Sequence, residues 1–543
     1  MTTKKPFIAH LAGPVATIQN TPPLVTSNKA RAKYGLPPRK SGDGSEVRFD
    51  VLRPQRLAAP ATVYVEQFSA HPLEADAAEL YGPPDGYVDA AGHFHKERRS
   101  ERDTPVYEIE LRPEDGLYPL PYMARQVDGA TWEDDVAYPG APEDRARQAF
   151  FPDGSRSFEE IDRLHVDAYG VGNLISSKAT IAFHRVLPPA GYTHAGERRG
   201  IDFFPYKPRH LSALPPRPAL ARVANSVQRI LSEGRYDGAI WTEGSPVIEE
   251  TLYWLNLLVD TTLPICGNAA QRAHGQISND GPRNIVDSVE YIVSRVWADD
   301  GGRNRAGVVL IAEQRVFSAR AVMKLDARPG GYAATGGHGG VLGASGHSGS
   351  PLLHYIPTAR HTYLSDVNIT RLPAEVNGVG SVVPIKGADG NLLESAVPRV
   401  AIVKDGSYAA DDYRADVESE VDLVALIGSM LHSERLAGIV VEGLAPYGTM
   451  TSAARYQLAL RAIYSGIPVV RVGRGNVEGF ARLEAPFISG SNLTATKARI
   501  LLLAALMKLG SLPPAVDADN PTSDERAATR RKAGLYQELF EHH

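Results

Sequence analysis

Beyond about residue 170, short apolar runs alternate with segments of helical period. The runs are YDGAIWT, RAGVVLIA, RVAIVKD, LAGIVVEG and IPVVRVG, and the helical patterns include VIEETLYWLNLLVD, ARYQLALRAIYSG and ARILLLAALMKLG. Strands interleaved with helices predict a mainly parallel sheet with helices on both faces. In such sheets ligands bind beyond the carboxyl ends of the strands, where loops lead into helices. Residues 1–165 have another texture: VRFDVLRP, ATVYVEQF and PVYEIELRP alternate apolar and polar positions between turn signals. That is the pattern of an antiparallel sheet with one wet face. The glycine-rich stretch 329–350 is followed by PLLHYIPT and not by a helix start, so it lacks the frame of a phosphate cradle. Residues 376–397 show no sustained period and read as a linker, with a new domain opening at Pro398. The expected organisation is α/β: a β-rich extension over 1–165, an α/β domain over 166–375, the linker, and a second α/β domain over 398–543.

Composition narrows the class. Apolar residues make up 43% and charged residues 22% of the 543 positions, which excludes wholesale disorder and coiled coil. The net charge of −5 disfavours a general nucleic-acid binder or a polybasic membrane protein. No run approaches the roughly 18 apolar residues of a spanning helix. The single cysteine, Cys266, excludes an internal disulfide framework. In the opening stretch, His10, Gly13 and Pro14 interrupt any signal-like apolar core and no A-x-A site follows. A cytoplasmic protein with no membrane and no nucleic-acid partner is expected.

Three strand-to-loop stretches carry candidate chemistry. After the run YDGAIWT comes Glu243-Gly244-Ser245-Pro246, then a helix opening Val247-Ile248-Glu249-Glu250. Ser245 is either a helix N-cap or a reacting hydroxyl, and Glu249 and Glu250 suit the first turn through the helix dipole. A second stretch, Ser177-Lys178-Ala179-Thr180-Ile181-Ala182, is followed by a loop with Tyr192. The third is Ser318-Ala319-Arg320-Ala321-Val322-Met323-Lys324.

Taken in order, these stretches resemble the bacterial-type L-asparaginase/glutaminase family. SKATIA (177–182) resembles the family's TGGTIA motif, and AGYTHAG (190–196) its tyrosine-bearing loop. DGAIWTEGSPVIEET (237–251) resembles the THGTDTMEET segment, GNAAQRAHGQISNDGPRNIVDSV (267–289) the GAMRP…SADGPxNL segment, and SARAVMK (318–324) the ARDVTKT motif. PTARHT (357–362), AGIVVEG (437–443), SGIPVVRVGR (465–474) and SNLTATKARILLLAAL (491–506) continue the likeness to the C-terminal region. The first 165 or so residues match nothing in it.

The resemblance implies a two-domain asparaginase-like fold and a hydrolase acting on carbon–nitrogen bonds other than peptide bonds. It implies Thr180 as nucleophile, Tyr192 as the tyrosine that orders over the substrate, Ser245 as the second catalytic hydroxyl, and Lys324 as its lysine partner. Gly244, Pro246, Trp241, Asn268 and Tyr447 are the expected substrate-binding positions. It implies no metal or organic cofactor, and a homo-oligomer, dimer or tetramer. A hydroxyl needs a positioned base to attack at neutral pH, and a desolvated lysine can serve as one. The departures concern the substrate. The family's ammonium-holding aspartate falls on Pro246, and the loop that helps read the amino-acid head falls on Leu444-Ala445-Pro446-Tyr447-Gly448. The implied substrate is an amide, cyclic or aromatic ones included, without a free α-amino-acid head. Two other readings stand beside it: a catalytically silent relative acting as a binding or scaffold protein, and a component that supplies ammonia to a partner enzyme.

Overall fold

The computed structural model describes residues 217–271, 280–326, 350–405, 453–474 and 485–543. It also describes shorter segments at 5–13, 24–27, 49–52, 55–56, 61–65, 84–89, 94–111, 117–118, 178–186, 331–334, 339–345, 436–444, 448–450 and 483. The chain divides into two compact units. One comprises Met1–Pro215, Trp241–Gly244 and Asn268–Val289; the other comprises Pro216–Ile240, Ser245–Gly267 and Glu290–His543.

The first unit opens with β1 (Phe7–Ala12), whose Ile8, Ala9 and Leu11 are buried. There follow β2 (Leu24–Ser27), β3 (Phe49–Leu52), β4 (Gln55–Arg56), β5 (Ala61–Val65), β6 (Gly86–Val88), β7 (Phe94–His95), β8 (Thr104–Leu111) and β9 (Leu117–Tyr118). These eight pair antiparallel, in the groups β2–β3, β4–β9 and β5–β8–β6–β7. The β-rich character expected of the N-terminal region is present. The boundary at 165 needs correction in one respect. β1 pairs in parallel with β10 (Thr180–Arg185), Phe7 opposite Thr180 and Ala12 opposite Arg185. One strand of the α/β sheet is therefore supplied by the first dozen residues, ahead of the antiparallel part. β11 (Gly238–Thr242) ends beside it: the Gly13 N–H donates to the Thr242 carbonyl at 2.9 Å, and His10 Nε2 lies 2.5 Å from Thr242 Oγ1.

In the second unit, α1 (Ala219–Leu231) precedes β11 and α2 (Ile248–Leu258) follows it. Residues Leu252 to Leu255, Leu257 and Leu258 of α2 are wholly enclosed, as befits a helix apolar on all sides. The helix packs so close to β12 (Ile265–Asn268) that a Cβ on Gly267 would lie 2.3 Å from Leu252 Cδ1. Glycine is required there for steric reasons, and truncating such an enclosed leucine typically costs about 2–5 kcal/mol. After α3 (Gly281–Ser294), β13 (Val309–Ala312) runs parallel to β12. β14 (Arg315–Ser318) turns back against it. β15 (Val322–Lys324) and β16 (Tyr332–Ala334) form a hairpin, and β17 (Val341–Ala344) and β18 (Leu352–Leu353) extend the antiparallel edge. The glycine-rich stretch thus carries β16 and β17 in its described parts.

The expected linker is ordered. β19 (Glu375–Asn377) and β20 (Val382–Pro384) form a hairpin, and Ile385, Leu392, Ala396 and Val397 are buried in the core. Its buried positions follow a hairpin and turns and not a repeating period, which hid them. β21 (Val400–Lys404), β22 (Gly438–Gly443), β23 (Val469–Gly473) and β24 (Ile488–Ser489) make a second, wholly parallel sheet. α4 (Ala453–Tyr464), α5 (Ala495–Leu509) and α6 (Ser523–His542) complete this region. One continuous core joins Tyr253 and Trp254 of α2 to Ile439, Leu502 and Tyr536. The α/β architecture with mainly parallel sheets is therefore the one the patterning implies. Among the described residues, no helix is long and apolar enough to cross a membrane.

Candidate active site at the start of α2

The loop after β11 carries Glu243, Gly244, Ser245, Pro246 and Val247 into α2. The N-cap of α2 is Val247, and no side chain caps the helix. The Ser245 hydroxyl is therefore not spent as a cap, which removes the structural reading of this serine. Ser245 is half-buried and Pro246 is exposed.

Lys324 closes β15 opposite Tyr332 of β16. Its Nζ lies 4.8 Å from the centroid of the Tyr332 ring, within cation–π range. The Tyr332 hydroxyl donates to the Ser245 carbonyl oxygen at 3.2 Å. A second tie runs along the main chain: the Lys324 N–H donates to Glu249 Oε2 at 2.6 Å. The hairpin bearing Lys324 is thus fastened to the segment bearing Ser245 both before α2 and in its first turn.

Beneath these ties lies Lys497, 1% exposed. Its ammonium donates to the Glu249 carbonyl and, at 2.7 Å, to the Ala319 carbonyl, and it lies 5.5 Å from the Tyr253 ring centroid. Burial pushes Lys497 down to about 7, against the upward pull of Glu249 and Glu250. Burial raises the Glu249 carboxyl above its usual range, while the Lys324 N–H and the Lys497 ammonium oppose that rise. Glu250 pairs with Arg499 at 2.5 Å.

The sequence-based expectations fare differently position by position. Ser245 and Lys324 are linked through Tyr332, and Gly244 and Pro246 flank Ser245 in the same loop. Trp241 points its indole at Glu243. It is fully buried and its indole N–H donates to Glu243 Oε2 at 2.9 Å, so it orients Glu243. Asn268 is 2% exposed, and its Nδ2 donates to the Asn284 carbonyl at 3.1 Å and to Ser288 Oγ at 2.9 Å. It ties the end of β12 to α3. Thr180 begins β10 instead of following a strand, at the end of the β1–β10 pair away from Gly13 and Thr242. That is the amino end, where ligands of parallel sheets do not bind. Tyr192 and Tyr447 lie outside the described residues.

Three members of the site escaped the sequence reading. Tyr332 sits in Gly330-Gly331-Tyr332, inside the glycine-rich stretch 329–350, which carries no strand or helix signal. Glu249 was assigned only to the helix dipole. Lys497 stands with Arg499 at the head of an otherwise apolar helix, and a charge in such a place signals a partner. The strand of β1 also went unassigned, and with it the segment Gly13-Pro14-Val15-Ala16-Thr17-Ile18 that follows its carboxyl end in the chain. Thr17 lies outside the described residues. Among the described residues, no group of three or more His, Cys, Asp or Glu could hold a metal ion.

Residues 214–331 match the family model described as asparaginase, N-terminal. An L-asparaginase of Bacillus licheniformis is 34% identical over 108 residues, 20% of this chain and 32% of that protein. A glutaminase-asparaginase of Acinetobacter glutaminasificans is 24% identical over 299 residues, 53% of this chain and 76% of that protein. The match thus spans about a third of the first relative and three-quarters of the second. Among solved structures, a probable cytoplasmic L-asparaginase from Campylobacter jejuni aligns with a TM-score of 0.46 at 20% identity, over 68% of this chain and 93% of that one.

Proposed function

We propose that the chain is a divergent member of the bacterial-type L-asparaginase/glutaminase family and that it hydrolyses the C–N bond of an amide lacking a free α-amino-acid head. The observation that carries this reading is the junction of Ser245 and Lys324 through Tyr332. The main chain of Ser245, whose hydroxyl is not used as a cap, accepts from a phenol whose ring lies against the Lys324 ammonium, which supports this reading.

In the proposed reaction a hydroxyl oxygen adds to the amide carbonyl carbon as its proton passes to a base. The tetrahedral intermediate expels the nitrogen, which takes up a proton and leaves as an amine or ammonia. Water then cleaves the acyl-enzyme ester to a carboxylate and restores the hydroxyl. Ser245 and Lys324 serve as hydroxyl and proton-transfer partner, with main-chain N–H groups of the loop available to the oxyanion. Tyr192 and Tyr447 remain candidates for contacts to the substrate.

Pro246 supports the choice of substrate class. It is exposed beside Ser245 and cannot hold a cation. Removing the charged partner of a buried ammonium typically costs about 2–5 kcal/mol, so free asparagine is disfavoured. The test is to incubate the full chain with primary, cyclic and aromatic amides beside asparagine and glutamine, following ammonia release and substrate loss. Turnover of a non-amino-acid amide that Ser245→Ala abolishes is expected. Silence across the panel would leave a binding or scaffold role in its place.

A further inference from the structure

Lys497 is an expensive residue where it stands. It is the third residue of α5, whose N-cap Thr494 accepts from the Lys497 N–H at 3.1 Å. A cation in the first turn opposes the helix dipole, and a buried ammonium carries a desolvation cost that an apolar side chain of like length avoids. The ammonium spends that cost on two main-chain oxygens that belong to different elements. One is the Glu249 carbonyl, in the first turn of α2 four residues after Ser245. The other is the Ala319 carbonyl, in the turn between β14 and β15 five residues before Lys324.

We infer that Lys497 is a positioning residue for the proposed hydrolase site, holding the Ser245 segment and the Lys324 hairpin in one geometry from beneath. The inference rests on the hydrolase reading of that site and adds the element that sets its dimensions. The Lys324 N–H reaches the Glu249 side chain while Lys497 holds the Glu249 main chain, so three groups close a ring between α2, the hairpin and α5. The charges facing the ammonium are Glu249 and Glu250 on α2 and Arg320 in the β14–β15 turn. With the Tyr253 ring alongside, the surroundings hold the cation without a one-to-one carboxylate partner. Opening the ring lets the hairpin drift relative to α2, and a misplacement of about 1 Å in a catalytic group is enough to cost two orders of magnitude in rate.

The test uses full-length Lys497→Met and Lys497→Arg. Backbone hydrogen exchange is read over 245–252 and 318–326, with β22 as internal reference. In Lys497→Met, exchange in the two site segments should accelerate at least tenfold while β22 is unchanged, and Lys497→Arg should restore it to within threefold. On an amide that the wild type hydrolyses, kcat should fall tenfold or more in Lys497→Met while KM stays within threefold, with recovery in Lys497→Arg. If Lys497→Met does not fold, Lys497→Gln supplies the same comparison. Unchanged exchange in the site segments overturns the inference, and so does acceleration that is equal in β22. Wild-type silence on every amide defeats the hydrolase reading instead, and the exchange data still decide whether the ring exists.

Discussion

Thr180 is the register partner of Phe7, the first residue of β1, while the other end of that strand meets Thr242 through the Gly13 N–H. Six residues of strand span about 20 Å, so Thr180 is separated by that length from the strand ends where a parallel sheet presents its loops. The segment that leaves the carboxyl end of β1 contains Thr17. Thr180→Ala is therefore expected to keep activity within about threefold of wild type, and Thr17→Ala to lose at least a hundredfold in kcat. Steady-state assays on any amide hydrolysed by the wild type check both. A dead Thr180→Ala with a normal melting temperature would bring Thr180 into the reacting set beside Ser245.

This exchange shows what could be read from the chain and what could not. YDGAIWT, RAGVVLIA and LAGIVVEG declare themselves because parallel strands buried on both faces are continuous apolar runs, and each became a strand. SARAVMK was found by its likeness to a motif. FIAHLA is equally apolar, but its partner TIAFHR lies more than 160 residues on, and pairing over that distance leaves no local trace. Tyr332 was hidden for a similar reason. Its hydrogen bond to Ser245 crosses 87 positions of sequence, and it follows two glycines in a stretch without a sustained period.

Tyr332 offers the next prediction. Tyr332→Phe keeps the ring beneath Lys324 and removes the hydrogen bond to the Ser245 carbonyl. A neutral hydrogen bond is worth about 1 kcal/mol, so kcat/KM should drop roughly fivefold. Tyr332→Leu also removes the aromatic face and should lose substantially more. Equal losses in the two variants would mean that the ring contributes nothing to holding the lysine.

Acid should destabilise the second unit before it reaches ordinary carboxylates. His361 is 3% exposed, and burial holds its imidazole down to about 4 from 6.5. His543 is likewise lowered by burial to about 4. Between pH 6.5 and 4 the unfolded chain binds protons that the folded chain refuses, so stability is full above pH 6.5 and falls as pH drops toward 4. A shift of this size amounts to about 3 kcal/mol for each histidine. Denaturant melts of wild type and His361→Gln at pH 7 and pH 4.5 test the sign: the loss between the two pH values should be smaller in the variant. An identical loss would assign acid sensitivity elsewhere.

The substrate argument turns on Pro246, and reversing that residue is its sharpest trial. Pro246 stands exposed immediately after Ser245 and outside the first turn of α2, which begins at Ile248. An aspartate there can be accommodated without breaking a helical hydrogen bond, and it lies near a helix N-terminus, where a carboxylate is favoured. If the missing cation partner is what excludes free amino-acid amides, Pro246→Asp should raise kcat/KM for asparagine at least about thirtyfold, the effect of roughly 2 kcal/mol of recovered charge pairing. Turnover of an uncharged amide should change little or fall. If asparagine hydrolysis is already fast in the wild type, or stays absent in a folded Pro246→Asp variant, the position of the head-group clamp must be sought away from residue 246.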